Sequence, residues 1–133
     1  MIYYIKNEVG GAFIYPFKRY AGASTLSTVK SLCLKHLFTL EGYLKSAKKI
    51  LNIQYKIPII ISRSTALFSI KGYKDYENIW INYHAIKEIY YQKEMIVFIF
   101  DTHHLLEVKL SSKSYQRIVI TIFEILKYKD SLE

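Results

Sequence analysis

Pro58 constrains this chain more than any other residue. It stands in "NIQYKIPIII", residues 52 to 61, between a lysine-rich segment and a run of isoleucines. Proline has no backbone N–H to donate, and it pushes the residue before it toward extended conformations. The β-branched residues that follow favour a pleated, half-buried or buried surface. The stretch therefore reads as the first rungs of a buried strand entered through a proline. At its mouth stands Lys56, with Lys45, Lys48 and Lys49 just upstream.

The segment before that strand predicts a helix. Thr39 suits an N-cap and Glu41 the first turn, where negative charge complements the helix dipole. Leu40, Leu44, Ala47 and Leu51 stack on one face, with Tyr43 and Ile50 at its flank. Lys45, Lys48, Lys49 and Asn52 recur at i, i+3, i+4 and i+7 and make a second, basic stripe. Its lysines sit toward the C-terminal end, where any stable helix favours them. Residues 26 to 38 are open to two readings: Leu26, Val29, Cys33 and Leu37 have helical spacing, yet Val29 to Leu34 can also be extended.

Elsewhere the pattern is that of strands. "IYYIK" and "GAFIYPF" flank the turn signal Gly10-Gly11, and "RYAGAS" reads as a loop. "ALFSI" follows the Pro58 strand. After the polar excursion "KGYKDYEN", "IWINYHAIKEIYY" reads as one or two strands around Trp80. "EMIVFIF", "DTHH" and "LLEVKL" form a hairpin with Leu106, Val108 and Leu110 inward and Glu107 and Lys109 outward. The last segment predicts a helix capped by Ser111 or Ser112, burying Tyr115, Ile118, Val119, Ile122, Ile125 and Leu126. The fold class expected is α+β: one domain over residues 1–133, with a mostly antiparallel sheet, a basic central helix and a C-terminal helix.

The net charge of +8 is unevenly spread. From Val9 to Lys74 eleven Lys and Arg face the single acid Glu41, whereas from Asp75 to Glu133 nine acids face seven bases. A basic half points to a polyanionic partner, a nucleic acid before an anionic membrane surface, although a cationic excess also serves solubility alone. One cysteine rules out an intrachain disulfide and fits a reducing compartment. The N-terminus lacks a signal-peptide pattern, and the apolar runs fall far short of the ~20 residues of a membrane span. A cytoplasmic protein is expected.

Nothing in the chain calls for catalysis. The adjacent His103 and His104 read as turn residues rather than metal ligands. His36 and His84 are isolated. Cys33 lacks a nucleophile turn and reads as a buried structural thiol. No glycine-rich phosphate loop, GxSxG or useful carboxylate pair is present. No cofactor and no metal are expected. Tyr73, Tyr76 and Tyr83 near Lys71 and Lys74 could stack bases, but Tyr, Ile and Lys abound throughout, as in a chain encoded by AT-rich DNA.

Cys33, Gly42 nine positions on, "KIPIII" from Lys56, "NIWIN" around Trp80 and "IKEI" at 86 to 89 have a combined spacing that resembles the ComK family of bacterial competence transcription factors. The likeness runs from about Leu32 to Leu126, and more loosely through the N-terminal "YYIKNEVGGAFIYP". The chain departs from the family pattern at three places. Tyr43 stands for an arginine, Ser69-Ile70 lie near the place of a Phe-Pro pair, and Asn78 stands for a cysteine. The chain also reads as shorter than the family pattern: a strand-bearing segment before Cys33, and the tail through which the family meets its proteolytic adaptor, are expected to be missing.

The resemblance implies an activator-type, DNA-binding regulator of competence genes. It would bind paired AT-rich boxes of double-stranded DNA through the minor groove, as a homo-oligomer, with RNA polymerase as a further partner. The expected DNA contacts are Lys45, Lys48, Lys49, Lys56, Arg63, Lys71 and Lys74. Phosphate neutralisation would supply affinity, and groove width or deformability the AT preference. Narrow minor grooves are typically read by arginine, of which the chain has only Arg19, Arg63 and Arg117. The alternative is a non-enzymatic α+β module that keeps the fold but binds a protein or an anionic surface.

Overall fold

Strands that are apolar on both faces organise the molecule. The computed structural model describes residues 1–133. Strands β1 (Tyr4–Glu8), β2 (Gly11–Tyr15), β3 (Arg19–Gly22), β4 (Ile59–Ser62), β5 (Thr65–Ser69) and β6 (Ile79–Asn82) form a six-stranded antiparallel sheet in the order β3-β2-β1-β6-β5-β4. Side chains alternate along each strand, so the two faces feed two cores. Ile5, Leu67 and Trp80 meet Val29, Cys33 and Leu40 of the helices α1 (Thr25–Lys35) and α2 (Leu40–Leu51) on one face. Tyr4, Phe68, Ile79 and Ile81 face the other way.

That second face is covered by a three-stranded antiparallel sheet, β7 (Glu88–Gln92), β8 (Met95–Asp101) and β9 (His104–Val108), and by the helix α3 (Ser112–Ser131). Ile96, Phe98 and Phe100 of β8, Leu106 and Val108 of β9, and Tyr115, Ile118, Ile122 and Ile125 of α3 complete this larger core. The layers are thus helices, sheet, then small sheet with helix. A 3-10 turn, Tyr83–Ala85, passes the chain from β6 toward β7. The expected antiparallel strands divide between two sheets, with "IWIN" in one and "EIYYQ" in the other.

Two segments differ from the sequence reading or settle it. Residues 19 to 22, read as a loop, are the edge strand β3: Phe13 pairs with Tyr20 and Ala12 with Gly22. Four residues with no apolar alternation carry no strand signature. Gly11 explains how β3 packs so close. Its φ of +139° suits glycine, and a Cβ there would stand 2.5 Å from Gly22 O. Residues 25 to 35 are helical rather than extended, because Ser24 and Ser27 form a reciprocal capping box and Asn7 Oδ1 accepts from Thr25 N–H at 3.1 Å.

Helix α2 begins as expected. Thr39 Oγ1 accepts from Gly42 N–H at 3.0 Å, and Asn52 ends the helix in the left-handed conformation. It runs beside β4, the open edge of the large sheet. There the Tyr43 hydroxyl accepts from Ile60 N–H at 3.1 Å and donates to Pro58 O at 2.9 Å. One side chain thereby occupies two backbone positions that a neighbouring strand would otherwise fill. Burial pushes this phenol up to about 12.

Candidate nucleic-acid interface

The strand registers place the basic side chains at the two ends of the large sheet. One end gathers the C-terminus of α2, the start of β4 and the connection from β5 to β6. A hollow of about 260 Å³ there is lined by Lys48, Lys56, Gln54, Tyr55, Gly72 and Tyr73, among others. Lys45, Lys48 and Lys49 are exposed along α2 and Lys74 is exposed in the loop beyond Tyr73. Lys45, Lys48, Lys49 and Lys74 make no ion pair, since the only Lys pairs are Lys30 with Glu41 and Lys71 with Glu77. Exposed cationic side chains outside ion pairs can neutralise phosphates.

Lys56 and Lys71 lie at the same end but are partly engaged. Lys56 is half-buried, its backbone is in the left-handed region at φ 47°, and its Nζ donates to Ile70 O at 3.0 Å. Its ammonium also lies 5.5 Å from the centre of the Tyr55 ring. The strand-mouth lysine thus ties the start of β4 to the end of β5. Lys71 Nζ donates to Glu77 Oε2 at 2.8 Å, which raises its pKa.

Arg63 sits elsewhere. It occupies the exposed turn between β4 and β5, roughly 20 Å of chain from Lys56. Tyr4 pairs with both Tyr15 and Ile81, Leu67 with Asn82, and Ser62 with Thr65. These registers put the β4–β5 turn and the β2–β3 turn at one end of the sheet, opposite the lysines. The β2–β3 turn presents Phe17, Lys18, Arg19 and Tyr20 in succession, all exposed. Reading 19 to 24 as a loop concealed this aromatic and basic run, although "FKRY" itself was the available signal.

The remaining sequence candidates are structural in placement. Cys33 is fully buried, and burial pushes its thiol up to about 11. His103 lies in the β8–β9 turn, whereas His104 opens β9 and has both ring nitrogens engaged, with Asp101 and with Pro16 O. The larger hollow, about 660 Å³, lies between α2, β4 and the end of α3 and is mostly apolar.

A family model described as ComK protein matches residues 12–130. The chain belongs to the ComK family. No curated protein and no solved structure matches it. ComK proteins are competence transcription factors, a regulatory rather than an enzymatic family. No helix here is long and apolar enough to cross a membrane.

The residues at positions 43, 70 and 78 have local structural roles. Tyr43 closes the β4 edge, as described. Asn78, fully buried, accepts from Ile70 N–H at 3.0 Å and from Lys71 N–H at 2.9 Å. A proline near position 70 would present no N–H, and a cysteine at 78 would be a weak acceptor. The two residues therefore match each other: the isoleucine brings an N–H that the asparagine receives, alongside Ile79 O at 3.3 Å. Neither change touches the exposed lysines.

Proposed function

We propose that the chain is a transcriptional regulator of competence genes that binds double-stranded, AT-rich promoter boxes, in the cytoplasm, as a homo-oligomer that engages RNA polymerase. The observation that carries this reading is the group of exposed lysines without acidic partners at the C-terminal end of α2, Lys45, Lys48 and Lys49, with Lys74 nearby. Such a group supplies sequence-independent phosphate affinity. Lys56 and Lys71 contribute as secondary contacts, because each already holds a protein acceptor. Arg63, at the opposite end, serves a separate contact on the same duplex.

Binding to labelled duplexes, one with spaced A and T tracts and one GC-rich, at low and physiological salt, tests the reading. Preference for the tract duplex that persists at physiological salt supports a working regulator. Weak binding to both, collapsing with salt, would instead favour a ComK-fold interaction module. The engagement of Lys56 and Lys71 within the protein, together with the apolar groove beside β4, is what that second reading has in its favour.

A further inference from the structure

The turn between β2 and β3 holds a large aromatic side chain out in solvent. Phe17 is 88 % exposed, the adjoining Tyr20 is 60 % exposed, and Lys18 and Arg19 lie between them. An exposed phenylalanine at a loose tip would fold back onto the surface, but this tip is braced on several sides. Tyr15 stacks on Tyr4 with ring centres 4.5 Å apart. Pro16 O is 3.2 Å from His104 Nε2, and the His104 ring is anchored in turn by Asp101 at 2.9 Å. Tyr20 meets the edge of Phe13 at 5.8 Å, and the Lys18 ammonium lies 6.0 Å from the Phe13 ring centre. Phe17 itself takes part in no aromatic pair.

The exposed charges of the tip itself, Lys18 and Arg19, are both positive. Neither Lys18 nor Arg19 is paired with an acid. Asp101, the carboxylate behind the turn, is taken up by Tyr3, His103 and His104. Arg63 lies at the same end of the sheet, so two of the three arginines of the chain are here. An apolar wedge flanked by cations is what proteins use to part adjacent base pairs and kink a duplex toward the major groove. A single projecting ring suits a base step better than a bilayer, where anchoring draws on a broad apolar face.

We propose that the β2–β3 tip is a DNA-deforming element: Phe17 inserts between base pairs at a flexible pyrimidine–purine step, while Lys18 and Arg19 hold the flanking backbone and groove. This rests on the duplex-binding reading above and adds a source of specificity to it. TA steps unstack readily, so a wedge gains most where the sequence is AT-rich, with no base-specific hydrogen bond required. The lysine end then supplies affinity and the arginine end supplies discrimination.

The test uses the full chain and a duplex of ~30 base pairs carrying A and T tracts around a central TA step, with a fluorophore at each end and 2-aminopurine at that step. Wild type should shorten the end-to-end distance, as expected for a kink within the 20–90° range of inserted side chains, and raise 2-aminopurine fluorescence. Phe17→Ala should abolish both signals while keeping the salt dependence of binding. Phe17→Leu, another wedge residue, should retain them, and Arg19→Ala should lose roughly tenfold in affinity. The tip is exposed, so all variants should melt with wild type. Equal bending by wild type and Phe17→Ala would overturn the wedge and leave the DNA-binding reading standing. Absence of duplex binding by wild type even at low salt would overturn both. Unchanged duplex bending by Phe17→Ala together with lost binding to phosphatidylserine-containing vesicles would overturn the wedge in favour of a membrane contact.

Discussion

Asn78 Oδ1 is an acceptor shared by two backbone donors. Ile70 N–H has Asn78 Oδ1 at 3.0 Å, and the same oxygen also receives Lys71 N–H. Replacing Asn78 by cysteine leaves Lys71 N–H without its acceptor and Ile70 N–H with only its longer bond to Ile79 O at 3.3 Å, and we expect a loss on the order of 2 kcal/mol. In an Ile70→Pro background one donor no longer exists, so the same replacement should cost about 1 kcal/mol less. Urea titration of the two single variants and the double variant measures this coupling; additive effects would contradict it. Tyr43 allows a second test. Tyr43→Phe removes the partner of Ile60 N–H and Pro58 O at the β4 edge and should lower stability by about 1–3 kcal/mol. The lysine stripe of α2 faces solvent, so DNA affinity of the folded variant should be unchanged. None of these bonds was legible from sequence. Each joins residues that only the tertiary arrangement brings together.

At the scale of elements, legibility followed periodicity. Helices α2 and α3 and the β8–β9 hairpin announce themselves because their buried positions repeat at 3.6 or 2 residues, with hydroxyl caps at Thr39 and Ser111. Helix α1 was ambiguous because its apolar spacing fits two periods; the Ser24–Ser27 box decides it. Strand β3 was invisible because an edge strand of four residues needs only one partner and no apolar face. The lysines of α2 could be placed on one stripe from spacing alone, whereas the use of Lys56 within the protein could not, since its acceptor is the carbonyl of Ile70. The stripe has its own test. Lys48→Glu with Lys49→Glu should preserve helicity, because both side chains are exposed and the apolar face is untouched. Binding to the tract duplex should weaken, and the slope of log K against log salt should fall by about 0.9 for each phosphate that is no longer neutralised. Undiminished affinity in a folded variant would remove α2 from the interface.

At the scale of the molecule, what matters is how the two sheets are locked together at the end that carries the β2–β3 turn. Apart from their shared apolar core, they meet there through Asp101, at the end of β8. Its carboxylate accepts from Tyr3 OH at 2.7 Å, just before β1, and from His103 N–H at 2.8 Å, while His104 links it on to Pro16. The Tyr3 hydroxyl, the His103 N–H and the His104 ring together hold the Asp101 carboxyl well below the usual carboxylate range. A depressed folded-state pKa means that the ionised form stabilises the fold. This contribution is complete above the unfolded pKa of about 4 and is lost as pH falls from there toward the folded value. The melting temperature of wild type should therefore decline between about pH 5 and pH 2 more steeply than that of Asp101→Asn, which has no carboxyl to protonate. At neutral pH the variant should melt lower, having exchanged an anionic acceptor for an amide. Parallel melting curves across that range would show that the sheets are held by the apolar core alone. A steeper wild-type curve would make Asp101 the polar lock that also fixes, through His104, where the Phe17 tip points.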